Sequence, residues 1–143
     1  MIFDERTEFA DALAVTASAI SDVIDLGAAP TLQDLGNGEP LYLVVQVDEA
    51  ATAAGAATVT FSLESDSTAN LATSATVHAS TAAIGKATLV AGYTAWILPL
   101  PIADYERYLG VRFTVATGPL TAGKFNAFLT RNVSKWAALP DAL

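Results

Sequence analysis

Cysteine is absent from the 143 residues of this sequence. Disulfide bonds, thiolate catalysis and cysteine-ligated zinc sites are therefore excluded. Without cysteines, the sequence also offers no disulfide pattern from which a redox compartment could be inferred. No 18 apolar residues run together without polar breaks, so we expect no membrane-spanning helix. The first eleven residues carry four acidic side chains and no apolar segment, which is unlike a secretory signal peptide.

Basic residues are scarce. Seven lysines and arginines stand against 15 acidic residues, which gives a formal net charge of −8. Such a surface repels phosphate groups, so neither a nucleic acid nor an anionic membrane is expected as a partner. Residues 1–66 hold twelve acids and one base, whereas residues 67–143 hold three acids and six bases. Either these halves meet between subunits, or they interleave within one sheet sandwich and the asymmetry vanishes.

Motifs that carry chemistry are few. The single histidine, His78, lies on the polar side of a predicted strand, where nothing local completes a Ser-His-Asp triad. We therefore expect His78 to be a solvent-exposed strand residue. The sequence has no phosphate-binding P-loop and no EF-hand calcium loop. Its carboxylates are expected to be solvated or to cap turns, with a weak cation site as the lesser alternative. We predict no catalytic residue, no cofactor, no metal site and no enzymatic activity.

Alternation of apolar and polar residues dominates the chain and indicates β-strands. In Thr58–Glu64, Val59, Phe61 and Leu63 are predicted to face a core, and the polar residues between them to face solvent. Further strands are predicted over Ile20–Leu26, Leu41–Val47, Thr73–Ser80, Ala87–Leu98, Leu109–Ala116 and Phe125–Thr130. Short strands at this regular spacing, about eight in all, predict an antiparallel β-sandwich.

One domain is expected over residues 1–143, because this length is typical of one domain and no linker or repeat divides the chain. Residues 1–17 are predicted to form an N-terminal arm or a short helix. We hypothesise that this acidic arm becomes ordered only on docking. Residues 50–57 are predicted to form a loop. In the strand Thr73–Ser80, the small apolar residues Ala75, Val77 and Ala79 are predicted to face inward.

Aromatic residues and arginines are the candidates for recognition. Tyrosine and tryptophan are enriched in protein interfaces, but they also fill cores, and exposed coplanar rings can stack on sugars. A carbohydrate platform would need an exposed pair among Tyr93, Trp96, Tyr105 and Trp136. Arg112 is predicted to project from its strand and could pair with the acidic half of a neighbouring subunit. The protein-interface candidates are Tyr42, Trp96, Tyr105, Arg112, Arg131 and Trp136.

Several segments, taken together and in order, carry a family resemblance. The run Arg-Tyr-Leu-Gly-Val-Arg-Phe, followed by Thr-Ala-Gly, is its most telling part. From about Ser18 to Trp136 the chain resembles the small cement (decoration) proteins of tailed-bacteriophage capsids. The segments are Ser21–Gly27, Gly38–Val47, Gly55–Leu63, Arg107–Val115 and Thr121–Thr130.

The resemblance implies a jelly-roll fold and a structural role without catalytic residues. Such proteins bind the outer surface of an icosahedral shell, bridge neighbouring major capsid proteins and help the shell to resist the pressure of packaged DNA. It also implies a homodimer, with a trimer as the alternative, and a place in the virion after synthesis in the bacterial host cytoplasm. A carbohydrate-binding jelly-roll module is the alternative function, and a hydrolase ranks behind both.

Overall fold

The computed structural model describes residues 5–28, 35, 40–72 and 74–133. Within this part of the chain, no helix is both long and apolar enough to cross a membrane. A 3-10 helix (Glu5–Thr7) is followed by β1 (Glu8–Ala14), β2 (Ala19–Asp25), β3 (Tyr42–Thr52), β4 (Thr58–Asp66), β5 (Thr76–Ser80), β6 (Ile84–Gly85), β7 (Thr94–Pro99), β8 (Tyr108–Ala116) and β9 (Ala122–Thr130).

The strands form two antiparallel sheets. Sheet A has the order β1-β9-β3-β7, and sheet B has the order β2-β8-β4-β5, with the short β6 also paired with β4. The late strands β8 and β9 are thus inserted between early ones, and the chain crosses repeatedly from one sheet to the other. Apart from β6, this is the strand order of a jelly roll, a double sheet of eight strands built from two Greek keys. The predicted jelly-roll sandwich is confirmed.

Apolar side chains from both sheets meet in one core, because successive residues of a strand point to opposite faces. As predicted, Val59, Phe61 and Leu63 of β4 are fully buried. Phe61 lies opposite Phe113 of β8 within sheet B, whereas Phe125 belongs to β9 of sheet A. The centroids of these three rings lie 5.5–5.7 Å apart. This phenyl cluster, Phe61, Phe113 and Phe125, therefore joins the two sheets.

Residues 8–14 of the predicted N-terminal arm form a strand. β1 pairs with β9 along the edge of sheet A, and its Phe9 is 1% exposed and packs in the core. After β1, Val15 is fully buried, and its N–H donates to the carbonyl of Gly123 at 3.0 Å. The prediction of an arm or a short helix over residues 1–17 is wrong for 8–14, because these residues form β1, in which Phe9 and Ala10 are buried.

The loop predicted over residues 50–57 begins later than expected, because β3 continues to Thr52. β5 also differs from its predicted orientation. Leu63 pairs with Ala79 but Glu64 pairs with Val77, so His78 is the extra residue of a bulge. A bulge of this kind shifts the alternation of a strand by one residue. Val77, predicted to face inward, is consequently 55% exposed, while His78 is half-buried.

Candidate functional site

A shielded ion pair lies on the outer face of sheet B. Arg112 of β8 donates from Nε to Glu64 Oε2 of β4 at 2.8 Å. The two side chains are 30% and 5% exposed, respectively. Ser62 Oγ donates to the other carboxylate oxygen of Glu64 at 2.7 Å, and the Arg112 guanidinium also donates to the carbonyl oxygen of Leu71. The outer side of β4, predicted to face solvent, is therefore buried at Ser62 and Glu64.

The segment that follows β4 covers this ion pair. Its Leu71 is 1% exposed and has a left-handed backbone (φ 46°). A Cβ at position 110 would lie 2.8 Å from Leu71 Cδ1 and 3.0 Å from Val23 Cγ1. Gly110 of β8 thus leaves the space that Leu71 occupies. The one sequence signal for this arrangement was the glycine within a strand pattern, which indicates a close approach of other atoms.

In the part of the chain that the structure describes, three ion pairs join the acidic first half to the more basic second half. In one of them, Arg107 lowers the pKa of Asp25 to about 2, mainly by its hydrogen bond to the carboxylate. The halves therefore interleave within one sandwich, and Arg112, which could have paired with a neighbouring subunit, has a partner in the same chain. The pairs are Arg107–Asp25, Arg112–Glu64 and Lys124–Glu49.

Carboxylates gather where the N-terminal helix, β1 and β2 meet. They line an open groove of about 540 Å³ whose walls include Glu5, Glu8 and Asp22. Burial, together with the nearby charges of Asp11, Glu5 and Asp22, raises the pKa of Glu8. In the described residues, no group of three or more histidine or carboxylate side chains is arranged to hold a metal ion. We name this surface the acidic groove.

Replacing Glu8 with glutamine is expected to increase the free energy of unfolding at pH 7 by about 0.5 kcal/mol, within the range of exposed charge interactions. The raised pKa means that the folded chain binds this proton more tightly than the unfolded chain, so the ionised carboxylate destabilises the fold. Urea unfolding at pH 7 measures the gain. It should disappear near pH 3, where the carboxyl is protonated in both states.

Asp104→Asn is the matched control for Glu8→Gln, because it removes one negative charge from an exposed loop position. We expect no comparable gain there. Equal stabilisation by both variants would mean that overall net charge, and not the surroundings of Glu8, causes the effect.

The histidine lies in a polar cluster at one end of the sandwich. His78 Nε2 and Ser65 Oγ lie 2.7 Å apart, and the Glu106 N–H donates to the same Oγ at 3.0 Å. The ring of Tyr105 stands edge-on to His78, with centroids 4.6 Å apart. Burial raises the pKa of Tyr105 to about 12, and its hydroxyl donates to the Pro101 carbonyl. The prediction of a solvent-exposed His78 is wrong.

Ser65, His78 and Glu106 thus come together, although no local sequence pattern indicates this arrangement. Ser65 has no exposed surface, so a substrate cannot reach its hydroxyl. The Glu106 carboxylate accepts from Thr76 Oγ1 at 3.0 Å. With its nucleophile inaccessible, this cluster stabilises the end of the sandwich and does not have the geometry that hydrolysis requires.

A comparison with known protein families shows which family the chain belongs to. Residues 9–129 match the Bbp16 family, a span that runs from β1 into β9 and so includes every strand of the jelly roll. The chain belongs to the Bbp16 family. This is a phage-related family, which agrees with the coarser part of the resemblance noted in the sequence. A comparison with curated proteins finds no match.

The described interface candidates of this Bbp16-family chain lie on different parts of the sandwich. Tyr42 begins β3 opposite Thr130 of β9, so Tyr42 and the exposed Arg131 lie near one end of sheet A. Trp96 and Tyr105 pack against the core. Arg112 lies on the outer face of sheet B, where it pairs with Glu64 as described. Trp136 lies outside the described residues.

The exposure of the aromatic residues is also relevant to the alternative function, carbohydrate binding. A sugar platform needs exposed aromatic faces, yet Trp96 and Tyr105 are half-buried against the core. Tyr93 is 38% exposed. Of these three rings, Tyr93 is therefore exposed, and the other two are half-buried.

Proposed function

We propose that this chain is a decoration protein, which binds the outer surface of a tailed-phage icosahedral shell and bridges neighbouring major capsid proteins. In this role it stabilises the shell against the pressure of packaged DNA. The observation that carries the proposal is the match of residues 9–129 to a phage-related family across the whole jelly roll. The function itself is a binding function, carried out as a homodimer on the virion surface.

The physical character of the chain supports this proposal. Its sheets are tied together by a continuous apolar core, and it has no thiol that oxidation could alter. Its net charge of −8 disfavours contact with packaged DNA. Individual contacts with the shell can be weak, because a dimer that engages two capsid subunits gains affinity from its high effective concentration.

Co-sedimentation with empty shells tests the proposal. We expect the chain to pellet with shells of its phage up to a saturating number of copies, and decorated shells to survive heating that breaks undecorated ones. Repeating the binding at low and high salt separates ionic from apolar contacts. An unrelated acidic protein of similar mass controls for trapping. The proposal is wrong if the chain remains in the supernatant at both salt concentrations.

Ile102 is the first position to test as a contact. It is 94% exposed, more than the other exposed large apolar residues of the described chain, and lies in the loop between β7 and β8. We include Ile102→Ser in the co-sedimentation experiment and expect it to reduce binding. Val77→Ser, which removes an exposed apolar side chain from β5, is the matched control and should bind as the unaltered chain does.

A further inference from the structure

The β7–β8 loop, residues 100–107, closes one end of the sandwich and is fixed at several points. The Leu100 N–H donates to the Leu41 carbonyl at 2.8 Å, and the Arg107 carbonyl accepts from the Leu26 N–H at 2.7 Å. Between these anchors, the Glu106 N–H is held by Ser65 Oγ of β4 at 3.0 Å. The hydroxyl of Ser65 therefore connects the loop to sheet B.

The hydrogen bonds of Ser65 depend on the protonation of His78. A serine hydroxyl has one proton to donate and two lone pairs to accept with. One lone pair accepts the Glu106 N–H. When His78 is neutral with its proton on Nδ1, Nε2 accepts the Ser65 proton across 2.7 Å. The Glu106 N–H, the Ser65 hydroxyl and His78 Nε2 then all have hydrogen-bond partners.

Protonation of His78 breaks this pattern. Nε2 then carries a hydrogen and becomes a donor to Ser65 Oγ, so both lone pairs of the hydroxyl accept and its own proton loses its acceptor. Ser65 is fully buried, and water cannot replace that acceptor without an opening of the structure. A buried donor without an acceptor is unfavourable, because it has given up its hydrogen bonds to water and gained none in return.

We infer that His78 and Ser65 form a proton-sensitive latch: the neutral imidazole keeps the β7–β8 loop fixed through Ser65, and protonation of the imidazole loosens that loop. The latch controls the segment that carries Ile102. It follows from the hydrogen bonds alone and does not depend on the proposed function.

The charged and titratable groups around the latch come from three elements. On the loop, the Glu106 carboxylate acts on His78 and Tyr105 contacts its ring. On β4, the residues next to Ser65 are Glu64, which pairs with Arg112, and Asp66, which accepts from Ser67 and Thr68. On β5, His78 is flanked by uncharged residues.

Burial lowers the pKa of His78 below its ordinary value of 6.5, and the opposing charge of Glu106 does not compensate fully. The stability that the neutral imidazole contributes is therefore complete above pH 6.5. It is lost as the pH falls through the lowered pKa of the folded chain. The lowered pKa of His78 favours the neutral imidazole, the form whose Nε2 can accept the Ser65 proton.

Nuclear magnetic resonance on the full chain tests the latch. His78 is the sole histidine, so its ring signals report one titration, which we expect below pH 6.5. Amide exchange, expressed as protection factors so that intrinsic pH effects cancel, should show the Glu106 N–H losing protection over the same pH range. The protection factor of Glu106 should fall about tenfold for each unit by which the pKa of His78 is lower when the loop is fixed than when it is loosened. The Phe113 amide, in central strand β8, should keep its protection.

Two variants make the test decisive. In His78→Gln the Glu106 protection should no longer depend on pH, since the glutamine amide can accept the Ser65 proton but does not titrate. In Ser65→Ala the pKa of His78 should rise, and Glu106 should lose protection at every pH, so this variant still reports if His78→Gln does not fold. The inference is overturned if Glu106 protection stays constant through the titration of His78, or if His78→Gln retains the same pH dependence.

Discussion

Phe125→Ala is expected to lower the free energy of unfolding by about 3–5 kcal/mol, the usual cost of removing a buried phenyl ring from a core. Phe125 is fully buried in β9. Its ring contacts both Phe61 and Phe113, with centroids 5.5 and 5.7 Å away. Removing it leaves a cavity where the two sheets meet, and the strands around it can close that cavity only in part. Urea denaturation followed by tryptophan fluorescence measures the loss.

Phe125→Leu is the matched control, because it keeps most of the volume and should cost less than about 1.5 kcal/mol. It also provides a variant that folds if the alanine variant does not. A double-mutant cycle with Phe61→Leu isolates the edge-on ring contact, which should contribute about 0.5–1.5 kcal/mol beyond buried area. If Phe125→Ala unfolds at the same urea concentration as the unaltered chain, the phenyl cluster does not hold the sheets together.

The strands that alternation predicted well are those with one apolar face against the core. β4 and β8 have this character, and the inner residues Val59, Phe61 and Leu63 of β4 are buried as predicted. Alternation succeeds there because each apolar side chain has a single direction in which it can be buried. The pairing order could not be obtained in this way, since sheet position depends on partners far away in the chain.

Local patterns failed where distant contacts decide the outcome. The sequence of β1 suggested an arm or a short helix. It forms a strand because it pairs with β9 at the edge of sheet A. The bulge that turns His78 inward depends on the register between β4 and β5, which no feature of the Thr73–Ser80 segment specifies. Glu64 reads as an ordinary outward-facing strand residue, and its burial depends on the Leu71 segment that covers it.

For the candidate interface residues too, distant contacts decide what the local sequence leaves open. Tyrosine and tryptophan are enriched in cores and in interfaces alike, so composition could not separate the two roles for Trp96 and Tyr105, which pack against the core. Charge asymmetry was equally ambiguous. The jelly roll resolves it, because β8 lies between β2 and β4 and so brings the arginines of the second half against the acids of the first.

Arg112→Met is expected to destabilise the chain by about 2 kcal/mol. Breaking a fully buried ion pair typically costs about 3–5 kcal/mol, because the remaining charge is left without a partner. The expected value is lower here because Arg112 is 30% exposed and water can reach part of the site. Methionine keeps an unbranched apolar side chain in place of the arginine stem, so the substitution mainly removes the charged guanidinium. Urea unfolding at pH 7 gives the difference in free energy.

Arg107→Met is the matched control. Its ion pair with Asp25 has the same 2.8 Å separation, but both side chains are nearly half exposed, at 44% and 45%, and solvent screening leaves such exposed pairs with little effect on stability. The double variant Glu64→Leu with Arg112→Met should recover most of the loss, since no buried charge then remains unpaired. A loss at Arg112 no larger than that at Arg107, or no recovery in the double variant, would show that Glu64 is solvated despite its covering segment. The outer face of sheet B would then open readily in solution, and Arg112 would be free to contact a partner.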